Sequence, residues 1–226
     1  MSDTGHTSLA FERELRALRD QLLLMAGRAE EQLERALQAL LRQDEALVGR
    51  VLADDQSIDA DQLAIDEMAL VILARRQPVA SDLRFVALAL KMVTDIERIG
   101  DLAVNIAKRA RELHRFGPLV AAPLLEELGR SVRAALRSAF DALARNDAAL
   151  AERVIADDTN IDRLNTQLIA EILDAAASQH TELSRSLALS SVSRYLERVG
   201  DHATNIAELV IYFVRGRDVR RGRPSR

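Results

Sequence analysis

At 226 residues the chain is long enough for one large domain or for two of roughly 100 residues. Only 9 Gly, 4 Pro and 3% aromatics accompany abundant Ala, Leu, Arg and Glu, which is a composition of long helices. A net charge near −4 excludes bulk attraction to nucleic acid or an anionic membrane, and the lack of cysteine excludes disulfides, thiolate zinc sites, iron–sulfur ligation and Cys nucleophiles.

The segment from Met1 to Ser8 is polar and has no apolar h-region, so no signal peptide is expected. No apolar run reaches the ~18–20 residues of a membrane span. The expectation is a soluble, cytoplasmic, helical protein that does not insert into membranes. After about seven frayed residues, Phe11, Leu15, Leu18, Leu22, Met25, Ala29, Leu33, Ala36 and Leu40 recur at spacings of four and three, one apolar stripe on a long helix. Asp44 suits the N-cap of a second helix running to about Arg76. Pro78 lies just beyond it, and a third helix is expected from Val79 to His114 or Arg115. Gly117, Pro118 and Pro123 then mark a boundary.

The second half repeats the first. Residues 38–59 align with 141–162 at an offset of 103 with 13 identities in 22 positions, and 97–107 align with 197–207 at an offset of 100 with 8 in 11. The duplication predicts an all-α protein of two tandem three-helix bundles, 8–116 and 119–215, the second with helices near 119–145, 147–177 and 182–215. A basic tail, 217–226, with five arginines, reads as mobile.

The residues that stand out are acidic pairs four apart, Glu97/Asp101 and Glu197/Asp201, each one helical turn long with both carboxylates on one face. Upstream companions are Asp55/Asp59 and Asp158/Asp162. The midpoint of the first two pairs falls on Pro78, and that of the second two on Gln179-His180, inside the polar break Ser178–Thr181. Chain reversal at those midpoints sets each pair opposite its companion across an antiparallel hairpin. At ~100° per residue, Val48, Val51, Ile58 and Ala69 lie within about 60° of Asp55, and Leu83, Val86, Leu90, Val93 and Val104 within about 40° of Glu97. In the second half that stripe is more polar, with Ser186, Ser190, Ser193 and Thr204.

Carboxylates on a core-facing stripe must be neutralised, because an unpaired buried charge costs several kcal/mol. Arg98 and Arg198 sit about 100° off the stripe and are expected to point elsewhere. Four converging carboxylates favour a multivalent cation with a taste for hard oxygen ligands: iron, manganese, magnesium or calcium, with zinc also accommodated. The bland alternative is a set of solvated helix faces, where acidic i, i+4 pairs are common. Bundle di-iron enzymes need Glu-x-x-His motifs, and none occurs here, which favours a structural or sensory cluster over an enzyme. Gly100 and Gly200 interrupt strong helical patterns and suit close helix approach. His202 adjoins Asp201 but lies about 140° from the stripe, as a ligand or as a surface or interface histidine. Asn105 and Asn205 suit hydrogen bonding around the cluster or ordinary packing. No glycine-rich phosphate loop and no nucleophile elbow is present.

The sequence resembles the PhoU family at Ala74-Arg75-Arg76-Gln77-Pro78 with Ser81-Asp82-Leu83-Arg84, at Glu97-Arg98-Ile99-Gly100-Asp101, and at Tyr195-Leu196-Glu197-Arg198-Val199-Gly200-Asp201 followed by Asn205-Ile206-Ala207-Glu208. The duplicated architecture extends the likeness over about residues 8–215. The resemblance implies two symmetric three-helix bundles that bind multinuclear metal clusters, iron foremost, on Asp55, Asp59, Glu97, Asp101, Asp158, Asp162, Glu197 and Asp201. It implies a cytoplasmic homodimer that restrains phosphate-starvation signalling and phosphate uptake by contact with the ATPase of a phosphate ABC transporter and with a sensor histidine kinase, without catalysis. The halves differ at Lys108, where the second has Glu208. The alternatives are a bundle regulator of another pathway and a carboxylate-bridged metalloenzyme.

Overall fold

The computed structural model describes residues 3–119, 121–178 and 183–216, so the expected tail, 217–226, and the expected turn at Gln179-His180 lie outside the described residues. Within them the chain forms six α-helices and no strand: α1 (Asp3–Arg42), α2 (Glu45–Arg76), α3 (Ala80–Leu113), α4 (Ala122–Arg145), α5 (Ala148–Ser178) and α6 (Leu183–Arg215). A 3₁₀ turn, His114–Phe116, ends the first half, so α3 stops at Leu113. The first helix starts at Asp3, earlier than the expected seven frayed residues allow. Its largest local penalty there is Gly5, worth ~1 kcal/mol.

The boundaries follow from local chemistry repeated in both halves. The Asp44 carboxylate accepts hydrogen bonds from the backbone N–H groups of Ala46 (2.9 Å) and Leu47 (3.1 Å), and Asp147 accepts from Ala149 and Leu150 (both 2.9 Å). The residues just before them, Gln43 (φ 56°) and Asn146 (φ 53°), hold the left-handed conformation that closes a helix C-terminus. Gln77 (φ 46°) does the same for α2, and Pro78 follows it.

α1, α2 and α3 pack as one bundle and α4, α5 and α6 as another, joined mainly through α3 against α6 and secondarily through α1 against α4. One continuous core runs through both, with Leu22, Leu33, Ile65, Ile99, Leu136, Leu168 and Val199 all buried in it. At the bundle junction the helices come close: a Cβ on Gly129 would meet the Leu37 side chain at 3.0 Å. Arg76 grips Glu14 with two hydrogen bonds (2.9 and 2.6 Å), tying the end of α2 to α1.

Candidate functional site

The position of each acidic pair follows from which side of its helix pair is covered. Taking ~100° per residue from Asp55, Val51, Ile58, Ile65 and Ala69 fall on one side, and all are buried. Asp59, Leu63 and Leu70 fall on the other, and all are exposed. The third helix of the bundle covers only the first side. The expectation that the carboxylates occupy the middle of a buried stripe is therefore corrected: they line its edge, on the outer face of the hairpin. Asp55, Glu97 and Asp101 are half-buried and Asp59 is exposed. In the second hairpin Asp162, Glu197 and Asp201 are half-buried, and only Asp158 is buried, at 3% exposure.

In the first hairpin the four carboxylates are near enough to repel one another. Burial is the main cause that raises the Asp55 pKa above the ordinary carboxylate range, followed by the charges of Asp59 and Asp101. A hydrogen bond from Gln32 and the charge of Lys108 oppose that rise. Burial likewise raises Glu97, helped by Asp101 and Asp59 and opposed by Arg98. The reversal at Pro78 thus brings Asp55 and Asp59 of α2 alongside Glu97 and Asp101 of α3.

Arg98 does not point elsewhere. It donates to Asp101 at 3.0 Å and lies 3.5 Å from Glu97, because a long guanidinium at i, i+3 spacing reaches back along its own helix. Among the described residues, no three Asp, Glu or His side chains are placed to hold one ion. The donor chemistry, all carboxylate oxygen, is that of a hard-cation site. The arrangement in the first hairpin is that of carboxylates partly neutralised by Arg98.

Both inner glycines are contact points. A Cβ on Gly100 would lie 3.0 Å from Ile58 Cδ1 and 3.1 Å from Gln32 Oε1, and one on Gly200 would lie 3.2 Å from Ile161 Cδ1. His202 faces the other bundle: its Nδ1 is 2.8 Å from Asp95 Oδ1, which also accepts from Asn205 Nδ2 at 3.3 Å. That makes His202 an interface histidine between α6 and α3.

Two residues support the acidic pairs in ways the sequence reasoning did not read: Gln32, which it passed over, and Thr204, which it noted only as polar. Gln32 is buried on α1, donates to the Val51 carbonyl at 3.1 Å and leaves its Oε1 without a hydrogen-bond partner. Its signal was present: it falls three residues after Ala29 and four before Ala36 on the α1 stripe, a polar residue at an apolar position. Thr204 on α6 donates to Asp158 at 3.3 Å.

The sequence of the PhoU domain family matches residues 22–110 and again 125–210, which is more than half the chain. This chain belongs to the PhoU family. It is 43% identical over 218 residues to the phosphate-specific transport system accessory protein PhoU homolog of Pseudomonas putida, covering 96% of this chain and 85% of the relative. It is 35% identical to the PhoU of Escherichia coli K12, covering 95% and 89%. The crystal structure of PhoU from Pseudomonas aeruginosa superposes with a TM-score of 0.88 at 41% identity, covering 92% of this chain and all of that one. The phosphate transport system regulatory protein PhoU from Streptococcus pneumoniae superposes with a TM-score of 0.85 at 28% identity, covering 92% and 99%. The two family matches coincide with the two three-helix bundles. No helix among the described residues is long and apolar enough to cross a membrane.

Proposed function

We propose that this protein is an accessory regulator of phosphate transport that works by binding other proteins and without chemical turnover. The observation that carries this reading is the doubled PhoU match over a duplicated bundle, together with relatives named as accessory or regulatory proteins of phosphate transport. Its direction is restraint: it holds back phosphate uptake and the starvation response, through the transporter's ATPase subunit and a sensor histidine kinase, as a cytoplasmic homodimer.

A hard cation on each outer hairpin face would suit this role, drawing together carboxylates of which no three now converge on one ion. Asp55, Asp59, Glu97 and Asp101 would hold one cluster, with iron, manganese, magnesium or zinc as the ion, and Asp158, Asp162, Glu197 and Asp201 the other. Bound metal would supply the positive charge that Arg98 now supplies in part, and its job would be to fix the hairpin's outer face. What supports the reading is the mutual repulsion of the first four carboxylates and their all-oxygen chemistry.

The deciding experiment is metal analysis of protein purified without chelators, with the Glu97→Ala/Glu197→Ala double variant beside it. The expected result is bound metal in the wild type, lost in the variant, with derepressed phosphate uptake in cells carrying the variant. Equal metal content in both proteins would remove the cluster, and unchanged uptake after deletion of the gene would remove the regulatory role.

A further inference from the structure

One acidic residue kept by both halves has lost its partner in the second. In the first bundle Asp54 of α2 is paired with Arg35 of α1, and Arg35 is held in turn by Glu31, one turn before it on the same helix. At the offset of 103 the acid survives as Asp157 of α5, while Arg35 has become Ser138, Glu31 has become Ala134 and Arg28 has become Ser131. These small side chains on α4 leave a groove of about 390 Å³ against α5, with Asp157 and Asn160 on its α5 wall. The arginine-filled site of the first bundle leaves about 260 Å³. Arg153, one turn before Asp157, is the counterpart of Arg50, and neither pairs with the acid four residues on. Asp157 is exposed, and among the described residues no ion pair or hydrogen bond reaches its side chain.

We propose that this groove is filled by the chain's own C-terminal segment, with an arginine of residues 217–226 set against Asp157 as Arg35 is set against Asp54. The place where α6 stops makes this segment the occupant. Arg215 grips Glu152, near the start of α5, with two hydrogen bonds, one of them 3.0 Å long. Gly216 (φ 68°) then ends the helix, with its N–H donating to the Tyr212 carbonyl at 3.0 Å. The chain therefore leaves α6 beside Glu152, five residues before Asp157. That is about 7.5 Å along the α5 axis and about 140° round it. Ten further residues span up to ~33 Å when extended, so Arg220, Arg221 and Arg223 are within reach of the groove. The outward face of α5 on that path carries Ala149 and Ala156, both exposed, which leaves room for a crossing chain. Charge selects the contact: the segment holds five arginines and one aspartate, and a guanidinium fork matches a carboxylate. Arg153 on the same rim balances Asp157, so the groove takes one guanidinium and rejects a run of them. A second copy could offer the same segment, but the covalent tether gives this one an effective concentration on the order of millimolar.

The chain holds no cysteine, so a pair of introduced cysteines reports alone. The full chain carrying Ala134→Cys, on the α4 wall of the groove, and Gly222→Cys, between Arg221 and Arg223, is oxidised mildly, and the rate of disulfide formation within one chain is followed. In the control Ala144→Cys replaces Ala134→Cys; it is exposed on the same helix, about 120° round from Ser138. The groove pair should close at least about tenfold faster than the control pair. Asp157→Asn, or filling the site in cis with Ser138→Arg, should slow the groove pair about three- to tenfold and leave the control unchanged. Where Ser138→Arg fails to fold, Arg220→Gln/Arg221→Gln/Arg223→Gln, which lies outside all six helices, should give the same slowing. Equal rates for the two pairs, a groove rate indifferent to Asp157→Asn and to the triple glutamine variant, or a disulfide that forms only between two chains would overturn the proposal.

Discussion

The two bundles share one backbone plan and place their buried polar contacts in different seams. In the first, polar bonds close α1 against α2. Asp61, 5% exposed, accepts from Gln21 at 2.9 Å and from Arg28 at 2.6 Å, and Arg35 pairs with both Asp54 and Glu31. At the offset of 103, the second bundle has Leu124, Ser131 and Leu164 where the first has Gln21, Arg28 and Asp61. The corresponding seam between α4 and α5 is lined by Ser131, Ala135 and Ser138 on one side and Arg153, Asp157 and Asn160 on the other, and leaves a groove of about 390 Å³, against about 260 Å³ beside Arg28, Glu31, Gln32 and Arg35. Polarity reappears between α5 and α6, where Ser193 donates to Asn165 and Thr204 to Asp158, at sites that are Val93 and Val104 in the first half. The equivalent aspartates Asp55 and Asp158 are thus steadied from opposite sides, by Gln32 of α1 and by Thr204 of α6. Duplication has preserved the apolar core and the helix caps, while the hydrogen bonds that support the acidic pairs have been free to migrate.

The largest expected effect comes from breaking the first seam. Asp61→Ala leaves Gln21 and Arg28 without their buried acceptor and should cost about 2 kcal/mol, since Arg28 is open enough to regain water. In a chain of this length that is roughly 4–8 °C in melting temperature. Installing the second bundle's solution, Gln21→Leu with Arg28→Ser and Asp61→Leu, should recover most of the loss, because a well-packed apolar replacement often matches a buried ion pair. A neutral Asp61→Ala would mean that the seam carries no stability and that the contrast between the bundles is cosmetic.

A smaller effect sharpens the contrast at the glycines. Alanine gains ~1 kcal/mol of helix propensity over glycine, but at Gly100 it must displace two buried side chains, Ile58 and Gln32, and at Gly200 only Ile161. Gly100→Ala should lose about 1 kcal/mol net and Gly200→Ala close to nothing. Chemical denaturation of the two variants measures this, and the reverse order would contradict the tighter approach in the first hairpin.

The smallest effect is a pH dependence arising from Asp55 and Glu97. Asp55 and Glu97 have folded-state pKa values raised above their unfolded ones, by burial first and by neighbouring carboxylates second. Groups shifted in that direction contribute stability that is present below the unfolded pKa and lost as pH rises through the folded pKa. Metal-free protein should therefore gain stability from these two groups as pH falls from neutrality into the ordinary carboxylate range. In Asp55→Asn/Glu97→Gln that part of the pH dependence should disappear from denaturation curves compared at the two ends of the range. Identical curves for variant and wild type would place the two carboxylates in full solvent.

Much of this was legible in the sequence for identifiable reasons. Asp44 and Asp147 cap their helices by short-range hydrogen bonds that depend on a few neighbours, and Pro78 ends α2 by removing a donor. The antiparallel pairing of Asp55/Asp59 with Glu97/Asp101 followed from spacing about Pro78. What spacing could not supply was the side from which the third helix covers each pair. A helical wheel places Asp55, Asp59 and Leu70 within one 60° sector; only the packing of α1 decides that Ile58 goes inside and Leu70 outside. The reach of Arg98 was lost for a related reason, since a wheel tracks Cβ directions while a guanidinium folds across two of them.

The unequal lengths of α1 and α4 leave the duplicated halves with different mechanical support. α4 begins at Ala122, the counterpart of Arg19, so the first four turns of α1 have no equivalent. That overhang carries Glu14, clamped by Arg76, and brings Arg19 over the rings of Phe85 and Phe213 at 5.0 and 5.9 Å. The α2–α3 tip is splinted by α1 on its inner flank, whereas beside α5 and α6 the chain before α4 is not helical, and Arg185 of α6 donates to the Pro118 carbonyl there. Pulling α2 away from α1 would have to break the two-pronged clamp of Arg76 on Glu14, a bond for which α4, starting at Ala122, is too short to offer a counterpart.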